Sequence, residues 1–441
     1  MRRSFRAGVA LGALLLGTGG YGQQHATGQS HVMDQSHAIQ ERPARSGSPL
    51  TLEEAVALAS GDQPAVAAYQ REAQASEQEA AAARTLPDPQ LTAGIQNFPI
   101  TGHTAFTTND FMTMLTVGLM REQVRRSKRE AQAAQIRAEA LVSRRQASAE
   151  DRRIRRDVML AWIDAVEASA KERLLERIVE DLYTGHHVME AGVPTGKSTP
   201  DLVFQMQAEI ALEESTLADA RRAEDHARAE LARWIGPAAA ARPLPDAIPD
   251  IEAPADVPGE ALALAAHPTV QAAVAEQAAA QRQIDVARED RKPDITWSVM
   301  LGLREHFGQM VTGTVSIPLQ TNRRNRQDRL VAEAQLKADA AALRVEDARR
   351  DLEEQYRTAR ADYEGAGVEL QQVDKQAIPS LEAAFKSAEA RYESGGAGDS
   401  LDQAFLIVRR YAETMVKSQE VRADRARAAA KIIYVLGETG R

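Results

Sequence analysis

Two adjacent histidines near the middle of the sequence are well placed to contact a metal ion. His186 and His187 are followed by Met189, shortly before a glycine-containing turn. Imidazole nitrogen is a ligand for zinc, copper and nickel, and thioether sulfur is a ligand for copper. The same residues also suit the solvated polar end of a helix, which binds nothing. Both interpretations, a cation contact and a solvated helix end, remain open from the sequence.

A second group of histidines lies near the N-terminus. His25, His31 and His37 are evenly spaced within residues 23–50, a polar stretch poor in residues that form regular structure. Such a segment is typical either of a metal-collecting tail or of a disordered leader with scattered histidines.

Enzymatic chemistry has no support in the sequence. The zinc-protease HExxH, the GxSxG elbow, the P-loop and the dinucleotide fingerprint are all absent. With no cysteine, thiolate metal sites, disulfides and an N-terminal lipidated cysteine are excluded. The formal charge of −9 argues against a nucleic-acid partner. We therefore expect a protein that is not an enzyme and uses no cofactor.

The composition predicts long helices and the first residues predict export. Only 4% of the 441 residues are aromatic, whereas large globular cores usually depend on aromatic side chains. Residues 1–22 combine three arginines, a short apolar run from Ala7 to Leu16 and the small pair Gly20 and Gly22. This pattern is typical of a cleaved signal peptide.

An internal duplication organises the rest of the chain. Pro64 corresponds to Pro268 and Pro89 to Pro293 at one constant separation, within stretches that share their apolar pattern. We expect a first repeat over 51–236, a proline-rich linker over 237–258 and a second repeat over 259–437. Each repeat is predicted to run helix, helix, strand, strand, long helix, helix.

The predicted strands alternate between apolar and polar residues over about 10 positions. This is the length and pattern of strands in transmembrane β-barrels, although soluble hairpins packed on helices alternate in the same way. Four strands cannot close a barrel that needs about eight, so several chains would have to pool their strands. The positions predicted to face the lumen are Met112, Met114, Thr116, Thr296, Ser298, Thr312 and Thr314.

The longest helices are predicted after each strand pair. Residues 121–191 contain no proline, and 322–393 contain only Pro379, so each could extend for about 105 Å. Shorter returning helices are expected over roughly 198–235 and 399–436. Helices of this length do not fit one compact core.

Taken together, these features resemble the TolC family of outer-membrane efflux factors over roughly residues 50–437. The resemblance lies in the helix openings LTLEEAVALA and GEALALAAHP, the strand starts LPDPQLTAGI and RKPDITWSVM, and the strand exit VSIPLQTNRRNR. It also includes the helix turns TGKSTPDLVFQMQAE and YESGGAGDSLDQAFLIV. Met120 occupies a position where the family often has proline.

The resemblance implies a mainly α fold with a membrane β part. In it, a homotrimer forms a twelve-stranded β-barrel in the bacterial outer-membrane lipid and an α-barrel in the periplasm. The duct would conduct passively, with an inner-membrane pump of the RND type and a periplasmic adaptor (membrane fusion) protein as partners. The resemblance places the aperture and the adaptor contact at two helix turns, around Gly192, Gly196 and Asp201 and around Gly395, Gly398 and Asp402. Asp201 and Asp402 are also suited simply to begin or flank the returning helices.

Within the family, residues 98–120 most resemble heavy-metal exporters of the CzcC and CusC type, which implies metal cations as substrate. Drug efflux and type I protein secretion remain alternatives with the same fold. The main rival is a non-channel periplasmic coiled-coil protein, such as an adaptor or a structural protein. An adaptor would need lipoyl-like and β-barrel segments rich in glycine and valine, which the sequence lacks.

Overall fold

The computed structural model describes residues 47–61, 63–196, 198–254, 260–305, 307–393 and 399–437. The predicted signal peptide, the three tail histidines, Gly395 and Gly398 lie outside these ranges.

The chain is mainly helical, as predicted. The helices are α1 (Leu52–Ala59), α2 (Pro64–Ala83), α3 (Arg126–Gly192), α4 (Pro200–Ile235), α5 (Pro237–Ala240), α6 (Glu260–Ala266), α7 (Pro268–Glu289), α8 (Gln327–Gln372), α9 (Ile378–Glu393) and α10 (Asp399–Leu436). The longest, α3, has 67 residues, or about 19 turns. Across the described ranges, no helix combines the length and the apolar character needed to cross a membrane.

Four strands form one antiparallel sheet. They are β1 (Gln90–Gln96), β2 (Met114–Gln123), β3 (Ile295–Leu303) and β4 (Met310–Ser316), and their order in space is β1-β2-β3-β4. The central pair joins strands that are far apart in sequence, with Val117 opposite Leu301. The two hairpins are therefore united by β2–β3 pairing.

The chain divides into two compact units, each built from separate stretches of sequence. The sheet unit contains residues 62–152 and 258–354, and the helical unit contains residues 1–61, 153–257 and 355–441. Helices α3 and α8 belong partly to each unit.

In the helical unit, the start of the described chain is fixed to a buried tryptophan. Trp162 Nε1 donates a hydrogen bond of 3.1 Å to the carbonyl of Leu50, and both residues are almost fully buried. The Leu50 amide in turn donates to the carbonyl of Pro243 at 2.8 Å. Arg173 of α3 also donates to the carbonyl of Pro245 at 3.0 Å, so the described part of the predicted linker, residues 237–254, is hydrogen-bonded to its own unit.

A buried ion pair holds the beginning of this proline-rich segment. The guanidinium of Arg228 pairs with Glu224 one turn earlier on α4, and it donates to the carbonyls of Ala240 at 2.6 Å and Arg242 at 2.9 Å. Glu224 is only 1% exposed. A buried charge requires this degree of compensation, so Arg228 couples the end of α4 to the chain that follows it.

The second long helix is interrupted at the only proline within it. Residues Val373–Ala377 form a π-helical segment between α8 and α9, and the Ile378 amide bonds to the carbonyl of Val373. Pro379 has no amide hydrogen, and its ring crowds the carbonyl four residues earlier. A one-residue widening of the helix relieves this conflict, so the prediction of one regular helix over 322–393 was wrong at this point.

A glycine allows close approach of the two central strands, which gives a testable prediction. A Cβ on Gly118 would lie 2.5 Å from Met300 Cγ and 2.8 Å from the carbonyl oxygen of Val299. Because the second contact is with backbone, Gly118→Ala should lower the free energy of unfolding by about 1–3 kcal/mol. Denaturant unfolding in detergent measures this.

Another glycine of the same sheet provides the control. A Cβ on Gly313 meets no atom of the described residues within 4 Å, so Gly313→Ala should leave stability unchanged or slightly raise it. Equal destabilisation by the two variants would contradict the close-packing explanation.

Candidate functional site

One face of the sheet is apolar and open to its surroundings. The register aligns Ala93 with Val117 and Val117 with Leu301, which itself aligns with Val311. Other apolar members of this face are Leu91, Ile95, Leu115, Leu119, Ile295, Trp297, Val299, Leu303 and Val315. Most of these side chains are exposed, and Leu91 and Val311 are each more than 70% exposed. An apolar surface of this extent marks an interaction with lipid or with another protein.

The opposite face carries hydroxyl groups, glycines and methionines. Thr116, Thr296, Ser298, Thr312 and Thr314 all lie on it, as the alternation predicts. The Thr116 hydroxyl donates to the carbonyl of Gly94 at 3.1 Å. Their assignment to a lumen remains a prediction.

The two methionines predicted for this polar face have different positions. Met114 begins β2 and is buried, with its sulfur next to Gly302. Met112 precedes the strand, so the prediction that it belongs to the alternating face was wrong. Its amide donates to Asp110 Oδ1 at 2.9 Å, a local turn that delays the start of the strand.

The sheet ends in two outer strands, β1 and β4. Within the described part of the chain, β1 pairs only with β2, and β4 pairs only with β3. Each edge therefore presents a row of backbone amides and carbonyls that another strand could satisfy.

A cluster of charges joins the sheet to its helices. The backbone amide of Arg125 donates to Asp294 Oδ1 at 3.0 Å, and the guanidinium of Arg125 donates to Glu289 Oε2 at 2.7 Å. Lys128 Nζ lies 3.0 Å from Asp294 Oδ2 and 2.9 Å from Asp290 Oδ1. These contacts connect the beginning of α3 to the segment between α7 and β3, and thus fix the direction in which β2 and β3 leave the helices.

Glu289 makes this junction sensitive to acid. The Ser127 hydroxyl donates to it at 2.6 Å and Lys292 Nζ at 3.0 Å, and with Arg125 they lower the pKa of the carboxyl to about 2. A carboxyl with a lowered pKa in the folded state stabilises the fold above its unfolded pKa of about 4.3. This stabilisation is lost as the pH falls towards 2.

We therefore expect Glu289→Gln to lower the melting temperature at pH 7, with a difference from the parent that disappears as the pH approaches 2. Thermal unfolding in detergent across pH 2–7 tests this, with the exposed Glu346→Gln on α8 as control. A Glu289→Gln difference that does not vary with pH would contradict the assigned cause.

The first predicted helix turn is tight and contains a left-handed glycine. Gly192 ends α3, residues Val193–Thr195 form one turn of 3-10 helix, and Gly196 has φ = +70°. Asp201 lies in the first turn of α4, where its charge complements the helix dipole. In the second repeat, Asp402 lies near the beginning of α10.

Near this turn the structure groups the two histidines with an acid. Ligand atoms of His186, His187 and Glu190 lie within 4.8 Å of one another. Met189 packs instead against the apolar cluster of Leu182, Met206 and Ile210. Sequence reasoning missed Glu190, although its position one helical turn after both histidines was a usable signal.

Comparisons with known proteins agree with this architecture. Residues 261–433 match the family model described as outer membrane efflux protein. No curated protein sequence gives a significant match. The family match confirms the prediction that the chain is not an enzyme.

Solved structures with the same fold are outer-membrane channels. The outer membrane protein VceC of Vibrio cholerae has a TM-score of 0.68 and 16% identity, over 88% of this chain and 96% of that chain. The Campylobacter jejuni CmeC outer membrane channel has a TM-score of 0.72 and 12% identity, over 94% of each chain. CusC, whose structures concern folding and transmembrane channel formation, has a TM-score of 0.71 and 16% identity, over 88% of this chain and 92% of that chain.

These likenesses show that the chain has the fold of outer-membrane channels such as CmeC. CusC and VceC are equally similar to this chain in sequence, at 16% identity each, so the resemblance of residues 98–120 to heavy-metal exporters stays a prediction.

Proposed function

We propose that this chain is the outer-membrane exit duct of a tripartite efflux system. The observation that carries the proposal is the four-stranded sheet, which has one exposed apolar face, one polar face and two outer edges that pair with no strand of the described residues. An apolar face of this kind is stable against lipid, and the polar face suits a water-filled channel.

Pairing between copies completes the sheet in this proposal. The outer edge of β4 in one copy would pair with the outer edge of β1 in the next, which satisfies the free backbone groups of both. Three copies would supply twelve strands, enough to close a barrel, whereas one chain supplies too few. The trimer itself follows from the resemblance to the TolC family.

The long helices then form the periplasmic part of the duct. Residues 51–236 and 259–437 act as two repeats joined by the linker 237–258, and each supplies one long helix and one returning helix. The turns at Gly192–Asp201 and near Asp402 are the proposed sites of the aperture and of the adaptor contact. An inner-membrane pump supplies the energy, and this chain conducts passively.

Heavy-metal cations are the proposed substrate class. Support comes from the resemblance of residues 98–120 to heavy-metal exporters and from the histidines that lie near the first helix turn. Drug efflux and type I protein secretion are the competing outcomes.

Membrane fractionation tests the channel proposal. The exported protein should be recovered from outer membranes as a trimer band that dissociates on heating, and it should conduct ions when reconstituted in planar bilayers. Recovery of a monomer in the soluble periplasmic fraction would overturn the proposal and favour a coiled-coil adaptor.

A deletion strain tests the substrate class separately. Loss of the gene should lower tolerance to one or more of copper, silver, zinc, cobalt, cadmium and nickel, and a plasmid copy should restore it. Unchanged metal tolerance together with greater sensitivity to drugs would overturn the metal assignment and leave the channel intact.

A further inference from the structure

The end of helix α3 carries a group of side chains with the composition of a metal site. His187 Nδ1 lies 4.0 Å from Glu190 Oε2, and the rings of His186 and His187 meet edge to face with 5.9 Å between their centroids. His187 and Glu190 are mostly exposed, with side-chain exposures of 74% and 65%. These two side chains are therefore accessible to an ion from solvent, and His186 is half-buried.

Small side-chain rotations bring these atoms to coordination distance. Zinc binds imidazole nitrogen and carboxylate oxygen at about 2.0–2.2 Å, so tetrahedral ligand atoms lie about 3.4 Å apart. The present separations of up to 4.8 Å exceed this by little more than 1 Å. Glu190 lies one helical turn beyond the histidine pair, at the i, i+4 and i, i+3 spacings that bring its carboxylate next to either imidazole.

The surroundings favour a cation at this place. The residues lie in the last two turns of α3, where the aligned peptide dipoles give the helix end a partial negative charge. Met189 packs against Leu182, Met206 and Ile210, which fixes the rotation of this part of the helix. The histidines thus stay outside the apolar cluster.

We propose that His186, His187 and Glu190 bind one divalent transition-metal cation, with water at the remaining position. Two nitrogens and one carboxylate oxygen suit zinc, copper or nickel, and they suit magnesium and calcium poorly. Binding of the ion is a property of the chain itself. Its role as a contact for exported cations at the first helix turn rests on the proposed function.

Zinc titration of the purified trimer tests the binding. The full chain should carry His25→Gln, His31→Gln and His37→Gln, so that the tail cannot contribute. Calorimetry should then show one zinc ion per chain, and His186→Ala, His187→Ala or Glu190→Gln should weaken the affinity at least tenfold. His226→Ala removes another exposed histidine of the helical unit and should have no effect.

The outcomes separate this inference from the proposed function. An unchanged zinc affinity in all three site variants would overturn the cation site, whether or not the protein forms trimers and conducts ions. Loss of zinc binding in His187→Ala, with trimer formation and ionic conductance retained, would support it. If the His187→Ala variant restored metal tolerance to a deletion strain as fully as the parent protein does, the site would bind zinc without a role in export.

Discussion

The substitution Val299→Arg should prevent the protein from assembling in the outer membrane. Val299 lies in the middle of β3 on the exposed apolar face, opposite Leu119 of the neighbouring strand. If this face contacts lipid, a charge near the bilayer centre costs about 2–4 kcal/mol for each copy. The expected result is loss of the heat-dissociable trimer from outer-membrane fractions.

The adjacent residue provides a matched control. Ser298 is next to Val299 on the same strand and lies on the polar face, opposite Thr314. Ser298→Arg should still insert and form trimers, and it should lower the conductance for cations. Equal loss of assembly in both variants would show that the two faces do not differ in environment, which contradicts the assignment of a lipid face.

The substitution Arg228→Met should lower the free energy of unfolding by about 3–5 kcal/mol. The substitution retains much of the apolar volume but removes the charge that compensates Glu224, which is almost completely buried. It also removes the donors to the carbonyls of Ala240 and Arg242. Denaturant unfolding of the detergent-solubilised protein measures the loss.

An exposed pair with the same spacing serves as the comparison. Arg350 Nε lies 3.2 Å from Glu346 Oε1 on α8, and the two side chains are 75% and 51% exposed. Arg350→Met should change stability by less than about 0.5 kcal/mol, since surface pairs contribute little. A loss as large as that at Arg228 would contradict burial as the cause.

The strands were the part of the fold most accessible to sequence reasoning. Period-two alternation places Thr116 and Thr314 on one face and Val117 and Val315 on the other, and the register in the structure agrees. Alternation depends only on the geometry of a single strand, so it can be read without knowledge of its neighbours. The β2–β3 pairing has no local signal, because it joins segments that are distant in sequence.

Side-chain chemistry limited the prediction at the ends of elements. The Asp110 carboxylate accepts a hydrogen bond from the amide of Met112, and β2 begins only after this turn. The alternation of side chains does not show whether that amide bonds to a neighbouring strand or to a local side chain. Pro379 signals a disturbance of its helix, but the sequence does not show whether the helix breaks, bends or widens. The structure shows that it widens.

The candidate site was predictable only in part. Histidines before a glycine turn, and Glu190 one helical turn after them, are visible in the sequence. The packing of Met189 depends on how α3 lies against α4, which has no local signal. The cluster of charges around Glu289 was likewise missed, because Arg125, which donates to Glu289, lies far from it along the chain.

Cross-linking between the outer strands tests the central claim most directly. The chain contains no cysteine, so paired substitutions report only on the chosen positions. Ala93→Cys in β1 can be combined in turn with Val311→Cys, Gly313→Cys or Val315→Cys in β4, all on the apolar face. Directly opposed residues in an antiparallel pair are close enough to form a disulfide.

We predict that at least one of these combinations yields covalent dimers and trimers from outer membranes, with no larger species. Thr314→Cys, on the polar face, should not cross-link with Ala93→Cys. A closed barrel of three chains would be contradicted if no combination cross-linked in membrane-inserted protein, or if cross-linked species larger than three chains appeared.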